Sequence, residues 1–378
     1  MKIMQLITHM HELGGAQMHL YELSKRLSAD GHEVILAASG ECMLTEELVN
    51  EGIDYLQLKW LGVTIKPYND VRAFLEIRKI LKEIQPDLIA IHSSKAGIIG
   101  RLAAKSLNIP VMFTAHSWSF AGEPSKWKRK LFLTLEKLVG KWTDGVIAVS
   151  TFDYNQALSQ QVVPIDKIRK IHNGIPDDER CFQRYRTNEG CIDLLMVARF
   201  AEPKDHYLLF QTLSQITSVR WRLTLVGGGP LLNEYRQLAQ RLEIDRKINF
   251  AGETRDVIEY MKQADIFVLL SKSEGLPLSI IEAMREGIPV IASDVGGVSE
   301  ILQHGRQGFL VKKGDRDFLT KALLTLMSSE ELRRKYGNAG RNRFIKEFSF
   351  EKMYDQTEMF YRIVAQNSVK AEQKEVQL

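Results

Sequence analysis

Two carboxylates, Glu274 and Glu282, flank one short stretch, LSKSEGLPLSIIEAMREGIP from Leu270 to Pro289. A carboxyl pair can hydrolyse a glycosidic bond as acid and nucleophile. Here about two turns of helix, roughly 10 Å along the axis, would separate them, and the anion-favouring turn beside them suits a neutral hydrolase substrate poorly. Two separate hydroxyl-binding tasks fit better. For Glu282 the plainer alternative is a partly buried helix carboxylate paired with a basic neighbour. Arg199 and Lys204 stand five residues apart with Glu202 and Asp205 beside them. A fixed guanidinium and an ammonium can neutralise charge that builds on a diphosphate leaving group, although a single Lys or Arg is commonly solvated surface charge. His116 can hydrogen-bond a hydroxyl, polarise a carbonyl or carry a proton. His9, His11, His92 and His172 also fall near expected strand ends, and a lone histidine is commonly structural.

These residues need elements to hold them. The apolar run IFVLL at 266–270 ends at a polar turn, and an amphipathic segment follows from Pro277, so the pattern reads strand, loop, helix. Pro277 suits the first helical position, and Gly287 with Pro289 ends the helix. The loop's backbone N–H groups and the helix's positive end then face whatever sits beyond the carboxyl end of the strand, where open α/β sheets bind ligands and a helix N-terminus favours an anion. Gly14 and Gly15 lie in the first strand-to-helix turn, and Val226, Gly227, Gly228 and Gly229 end a strand at the corresponding level of the second half. Bare backbone admits a phosphate at the first and a planar ring at the second. The first lacks the GxGxxG spacing of a dinucleotide fingerprint, and a tight turn alone also accounts for it.

Strand patterns alternate with helical patterns along the whole chain. KIMQLIT, HEVILAA, DYLQL, DLIAIH, VMFTAH, GVIAVS and KIRKIH come first; IDLLMVA, WRLTLVG, KINFAG, IFVLL, PVIAS and GFLV follow, with helices around 205–217, 230–242, 254–263, 277–286 and 316–327. The fold class is therefore α/β, with two doubly wound, mostly parallel, Rossmann-like domains in tandem. The first spans 1–176, the polar stretch 177–190 is a hinge, and the second spans 191–348. Helical signal over 330–365, broken near Phe348, would return a last helix, about 350–366, to the first domain. The polar tail 367–378 reads as disordered.

The 378 residues exceed the size at which one core usually stops growing. A hydrophobic fraction of 44% and a charged fraction of 26% are those of a globular protein. A net charge of +4 is too small to indicate nucleic acid. Cys42, Cys181 and Cys191 form no CxxC or Cys/His cluster, which indicates neither a disulfide framework nor a structural zinc site and points to a reducing cytoplasm. No signal peptide and no run of about 18 apolar residues is evident. The DxD pair Asp315 and Asp317 could hold a metal, but it follows Gly314 at a helix start, where Asp is a preferred cap, so no metal is implied. Residues 125–142, SKWKRKLFLTLEKLVGKW, hold six Lys or Arg against one Glu, interleaved with Trp127, Leu131, Phe132, Leu135, Leu138 and Trp142. This helix either lies on an anionic membrane surface or faces the core with a solvated basic side.

The motifs GGAQ, TAHSW, HNGI, VARFAEPKDH, LVGGG and EGLPLSIIEAMREGIPVIASDVGGVSEI together resemble the family 4 retaining glycosyltransferases of the GT-B fold, two Rossmann-like domains about an interdomain cleft. Seven residues separate Glu274 from Glu282, as in that family's two-glutamate signature. The resemblance implies a nucleotide-sugar donor and no metal or other cofactor. Glu274 would hold the sugar's hydroxyls, with Gly275, Leu276 and Pro277 close to sugar and phosphate, and Glu282 would bind the ribose. Arg199 and Lys204 would clamp the diphosphate, approached also by Gly14 and Gly15, His116 would lie near the anomeric carbon, and Val226 to Gly229 beside the base. The segment IHSSKAGIIGRLAAKSLNIPVMFTAHSWSF also resembles members that extend polysaccharide or lipid-linked oligosaccharide chains. It implies a UDP-sugar donor, a lipid-linked or saccharide acceptor, and a cytoplasmic enzyme peripheral on the inner face of the plasma membrane.

Overall fold

The structure, a computed structural model, describes residues 1–11, 14–123, 125–177, 190–254 and 256–376, the last of these without side chains beyond residue 367. It divides into two units, Met1–His172 with Met353–Leu378, and Asn173–Lys352. Most of the expected hinge, residues 178–189 with Cys181, lies outside the described residues.

The first unit is built on strands β1 (Lys2–His9), β2 (Glu33–Ser39), β3 (Asp54–Gln57), β4 (Leu88–His92), β5 (Val111–Ala115), β6 (Gly145–Ala148) and β7 (Ile168–Lys170). All pair in parallel in the order β3-β2-β1-β4-β5-β6-β7. β4 and β5 are buried at every position, as strands covered on both faces must be, and this is why they read as continuous apolar runs. Helices α1 (Gly15–Ala29), α2 (Met43–Asn50), α3 (Pro67–Ile84), α4 (Ser94–Lys105), α5 (Lys126–Gly140) and α6 (Thr151–Ser159) connect them. The short α2 was not expected from the sequence. It opens on a Cys42–Thr45 capping box, with Cys42 standing where Ser or Thr usually does.

The second unit carries β8 (Ile192–Val197), β9 (Trp221–Val226), β10 (Ile248–Gly252), β11 (Ile266–Leu269), β12 (Val290–Ser293) and β13 (Gly308–Val311), parallel in the order β10-β9-β8-β11-β12-β13. Its helices are α7 (His206–Leu213), α8 (Leu232–Arg241), α9 (Val257–Gln263), α10 (Leu278–Arg285), α11 (Val298–Ile301), α12 (Arg316–Ser328) and α13 (Glu330–Glu347). The expected start of α10 shifts by one residue. Pro277 is not the first helical residue but the cap, with an extended ψ of 122°. Gly287, at φ 66°, ends the helix as expected, its N–H bonded to Met284 O at 3.0 Å.

The last helix, α14 (Phe350–Val376), runs past the boundary expected near 366 and into the stretch read as a disordered tail. Residues 377 and 378 lie outside the described residues. α14 is tied to the first unit by Tyr354 Oη donating to Asp30 Oδ2 (2.6 Å), by His32 on Glu358 (3.2 Å) and by the Arg169 guanidinium 4.4 Å from the Phe360 ring.

Candidate active site

In the second unit β8 has β9 on one side and β11 on the other, so the chain leaves its carboxyl end at the point where strand order reverses, the place where open α/β sheets bind ligands. The segment after β8 is stitched to both neighbours. Ala198 N and Phe200 N donate to Val226 O (2.9 Å) and Gly228 O (2.7 Å) on one side; Asp205 N donates to Leu270 O and Lys272 N to Pro203 O on the other, both at 2.8 Å. Arg199, exposed, is thereby set beside the glycine run and Lys204 beside the loop after β11. Gly227 and Gly229 have φ of 140° and 139°, and a Cβ on them would stand 2.3 Å from Ala198 O and 2.6 Å from Phe200 O. Only glycine lets the two loops approach so closely.

Lys204 Nζ donates to Glu274 Oε1 at 2.5 Å, and Ser271 Oγ donates to the same oxygen at 2.5 Å. Ser271 is itself fixed by its N–H on Ser293 Oγ (3.0 Å). The backbone of the loop is held as firmly. Gly297 N bonds Gly275 O (2.9 Å), buried Asn173 donates to Leu276 O (3.0 Å), and Gly296, at φ 57°, lies so close that a Cβ there would be 1.8 Å from Glu274 O. Glu274 thus sits on an over-determined loop with its carboxylate already paired to a cation.

Glu282 lies further along α10, half-buried, and burial pushes its carboxyl up, with Arg285 drawing it down and Glu286 pushing it up again. The plainer alternative, a partly buried helix carboxylate with a basic neighbour, matches its burial and the pull of Arg285, although no hydrogen bond joins the two among those of the described residues. Arg285 donates to Glu286 Oε1 (3.1 Å) and Pro176 O (3.0 Å). Asp315 caps α12, accepting from Phe318 N at 2.9 Å.

In the first unit the same reversal falls between β1 and β4. Gly14 caps α1 and Gly15 opens it, exposed; Gln17 closes the turn with Nε2 on His9 O (3.2 Å). His116, just past β5, is half-buried, and its Nε2 lies 3.1 Å from Nδ1 of fully buried His92. His92 Nε2 lies 3.0 Å from Gln5 Oε1. Because that amide oxygen only accepts, His92 carries its proton on Nε2 and accepts at Nδ1, so His116 donates from Nε2. The third ring is His19, on α1, its centroid 5.0 Å from that of His116. Burial pushes His116 down to about 3 and His19 to about 4, and burial followed by the neighbouring rings holds His92 well below the ordinary range. All three are neutral at pH 7.

The sequence singled out His116, Lys204 and Glu274 but assigned nothing to His19, Gln5, Ser271 or Ser293. His92 is the last residue of β4 and His116 the first beyond adjacent β5, so strand-end position held the signal for that pair; a buried Gln in a strand and a Ser three residues before Glu274 carry none.

α5 has features of both readings of 125–142. Its inward side packs Phe132 and Leu133 on the core, and Glu136, the one acid, is fully buried against Arg101 at 2.7 Å. Trp127, Leu131 and Leu138 stay exposed among Lys126, Lys128, Arg129 and Lys130. The helix does face the core, and its outer side is both basic and apolar. Among the described residues no helix is long and apolar enough to cross a membrane.

Two Rossmann-like halves of this kind are those of the GT-B fold. Residues 13–179 match the family described as Glycosyltransferase Family 4, and residues 177–343 that described as Glycosyl transferases group 1. The O-antigen biosynthesis glycosyltransferase WbnH of Escherichia coli is 30% identical over 84% of this chain and 88% of its own. The N-acetyl-alpha-D-glucosaminyl L-malate synthase of Bacillus anthracis is 27% identical over 96% and 97%. Among solved structures, Anabaena HepE in complex with UDP and glucose superposes with a TM-score of 0.81 at 19% identity, covering 95% and 98%. The chain belongs to the family 4 glycosyltransferases.

Proposed function

We propose that the chain transfers a hexose or N-acetylhexosamine, with retention of anomeric configuration and without a metal, from a UDP-sugar to a lipid-linked glycan in cell-surface polysaccharide synthesis. Lys204 and Arg199 neutralise the departing diphosphate, so that cationic side chains take the part a divalent ion has elsewhere. Glu274 binds sugar hydroxyls and stabilises positive charge at the anomeric centre; Gly275, Leu276 and Pro277 offer backbone to sugar and phosphate. Glu282 takes the ribose, and Val226 to Gly229 flank the base. Gly14 and Gly15 present N–H groups to phosphate, and the neutral His116 ring contacts the sugar near its anomeric carbon. The acceptor attacks the face the diphosphate leaves, through an oxocarbenium-like transition state, and its proton passes to a leaving-group oxygen.

The observation that carries the acceptor is α5. With Glu136 buried against Arg101, no acid remains on its outer side, and Trp127, Leu131 and Leu138 lie among four exposed cations. Such a face suits a surface of anionic lipid, each cation contributing about 1 kcal/mol. We place the enzyme in the cytoplasm, peripheral on the inner face of the plasma membrane. The similarity to WbnH supports this reading. The similarity to the malate synthase supports a second one, transfer to a small soluble acceptor.

The test is nucleotide release by the purified protein from a panel of UDP-, GDP- and ADP-sugars, with membrane extract and excess EDTA. Release from one UDP-sugar with label entering lipid is expected. Activity restored only by added metal overturns the metal-free mechanism, and turnover with soluble acceptors alone favours the second reading. Replacing Lys128, Arg129 and Lys130 by Glu should abolish sedimentation with anionic vesicles; persistent binding removes α5 from the reading.

A further inference from the structure

His19, His92 and His116 come from three separate elements, the second turn of α1, the last residue of β4 and the residue after β5. One ring nitrogen of each lies within 4.8 Å of those of the other two. The 3.1 Å between His92 Nδ1 and His116 Nε2 is close to the about 3.3 Å that separates two ligands of a tetrahedral zinc ion with bonds of about 2.0–2.1 Å. His92 also has the outer partner that metal-bound histidines need, since its other nitrogen is fixed on Gln5 Oε1 at 3.0 Å. His19 supplies the independent observation: it is buried, and its Nδ1 has no hydrogen-bond partner among the described residues. Buried ring nitrogens normally find a partner, so this corner of the molecule is short of one.

We propose that these three histidines form a binding site for a borderline divalent transition cation, zinc being the best suited, and that occupation inhibits the enzyme by withdrawing His116 from the sugar. Three imidazoles select Zn²⁺, Co²⁺ or Ni²⁺ over the oxygen-seeking Mg²⁺ and Mn²⁺. His116 is the half-buried member, so the ion enters at its edge and keeps a fourth position for water or an anionic oxygen. Binding needs His19 to turn inward about its own side-chain bonds. It also needs the His116 proton to move from Nε2 to Nδ1 through solvent, which leaves every ring neutral and releases no net proton. The site is distinct from the diphosphate clamp of Arg199 and Lys204. The inhibitory half rests on the proposed role of His116; the binding half does not.

The test uses the full chain stripped with chelator and returned to chelator-free buffer. Zinc is titrated in competition with a chromophoric chelator, and cobalt is added separately to read its ligand-field absorption. One ion per chain is expected, with the intense visible bands of tetrahedral cobalt. His19→Asn should weaken zinc binding by about 100-fold or more, and Gln5→Met, which removes only the outer partner, by about 10-fold. Thermal melts check that both variants fold. In turnover assays zinc should inhibit the wild type, and His19→Asn should keep its activity in chelator while losing zinc sensitivity. No stoichiometric binding, or binding that both variants retain, overturns the site. Binding with full stoichiometry but undiminished turnover overturns the inhibition and the role of His116, while an inactive protein that still binds zinc as described points to failure of the transferase reading alone.

Discussion

The two units repeat one topology and use it for opposite electrostatics. At the carboxyl edge of the second, the candidate groups are charged and two of them paired: Lys204 on Glu274, with exposed Arg199 beside a glycine run. At the corresponding edge of the first lie three imidazoles that burial keeps neutral, of which His116 alone is proposed to meet the sugar. On the proposed reaction the division has a reason. Diphosphate departure builds negative charge, which fixed cations stabilise, whereas the anomeric carbon gains positive charge, and an imidazolium beside it would raise the barrier. Desolvation removes that cation without removing the hydrogen-bonding ring.

The largest effect expected from this contrast is on acid stability. Above the ordinary value of 6.5 a histidine is neutral folded or unfolded, and nothing is lost. As the pH falls below 6.5 the unfolded chain takes up protons that the buried rings cannot, until the folded values, about 4 for His19 and about 3 for His116, are reached. Each ring then costs about 1.4 kcal/mol per pH unit. At pH 5.5 His19 and His116 together remove about 3 kcal/mol from the first unit, and His92 and His32, both lowered chiefly by burial, add in the same direction. Among the described residues the second unit has one such ring, His206, pushed by burial and by Lys204 to about 3, for about 1.4 kcal/mol. Hydrogen exchange read by mass spectrometry on the whole chain in EDTA, corrected for intrinsic rates, should show the first unit opening more between pH 7.5 and 5.5. Equal losses in the two units would break the contrast.

Next comes Glu274→Ala, which removes the anion of the charged edge. If Glu274 stabilises the anomeric centre, turnover falls by about 10²-fold or more, about 2.7 kcal/mol. Near-normal turnover with an unchanged melting temperature would show the carboxylate to be only the structural partner of Lys204. Lys204→Ala should cost about tenfold or more, less than Glu274→Ala because Ser271 still holds Glu274 and, on the proposed reaction, Arg199 still faces the phosphate. An unchanged rate would mean that Lys204 is only a surface charge.

Legibility followed the same division. Strand, turn and helix were readable wherever apolar periodicity met Gly or Pro, as at 266–289, because those residues restrict the backbone locally. The error at Pro277 was one of position, since a fixed φ near −65° suits the cap as well as the first turn. Lys204 and Glu274 were readable as charges just past strand ends, but their contact was not, since it depends on β8 and β11 being neighbours in the sheet although β9 and β10 with the helices α7, α8 and α9 intervene along the chain. The histidine trio was hidden for that reason and one more. Its three members come from a helix and two strand ends, and only packing shows that water is excluded from them.

The smallest effect tests how the charged edge is held. Ser271→Ala removes one of two donors to Glu274 Oε1 and leaves Lys204 in place. Ser271 is 2% exposed, and deletion of its hydroxyl strands no charge, so the cost is that of a single hydrogen bond to a charged group, about 1.5–3 kcal/mol at most. If Ser271 positions Glu274 for the transition state, kcat falls by a few-fold while KM for the donor changes little, and Ser271→Thr restores part of the loss. If it serves only the folded loop, the melting temperature falls with kcat untouched. That result would place the whole ordering of Glu274 on Lys204, making the ion pair, rather than the loop, the device that sets the sugar's anionic partner.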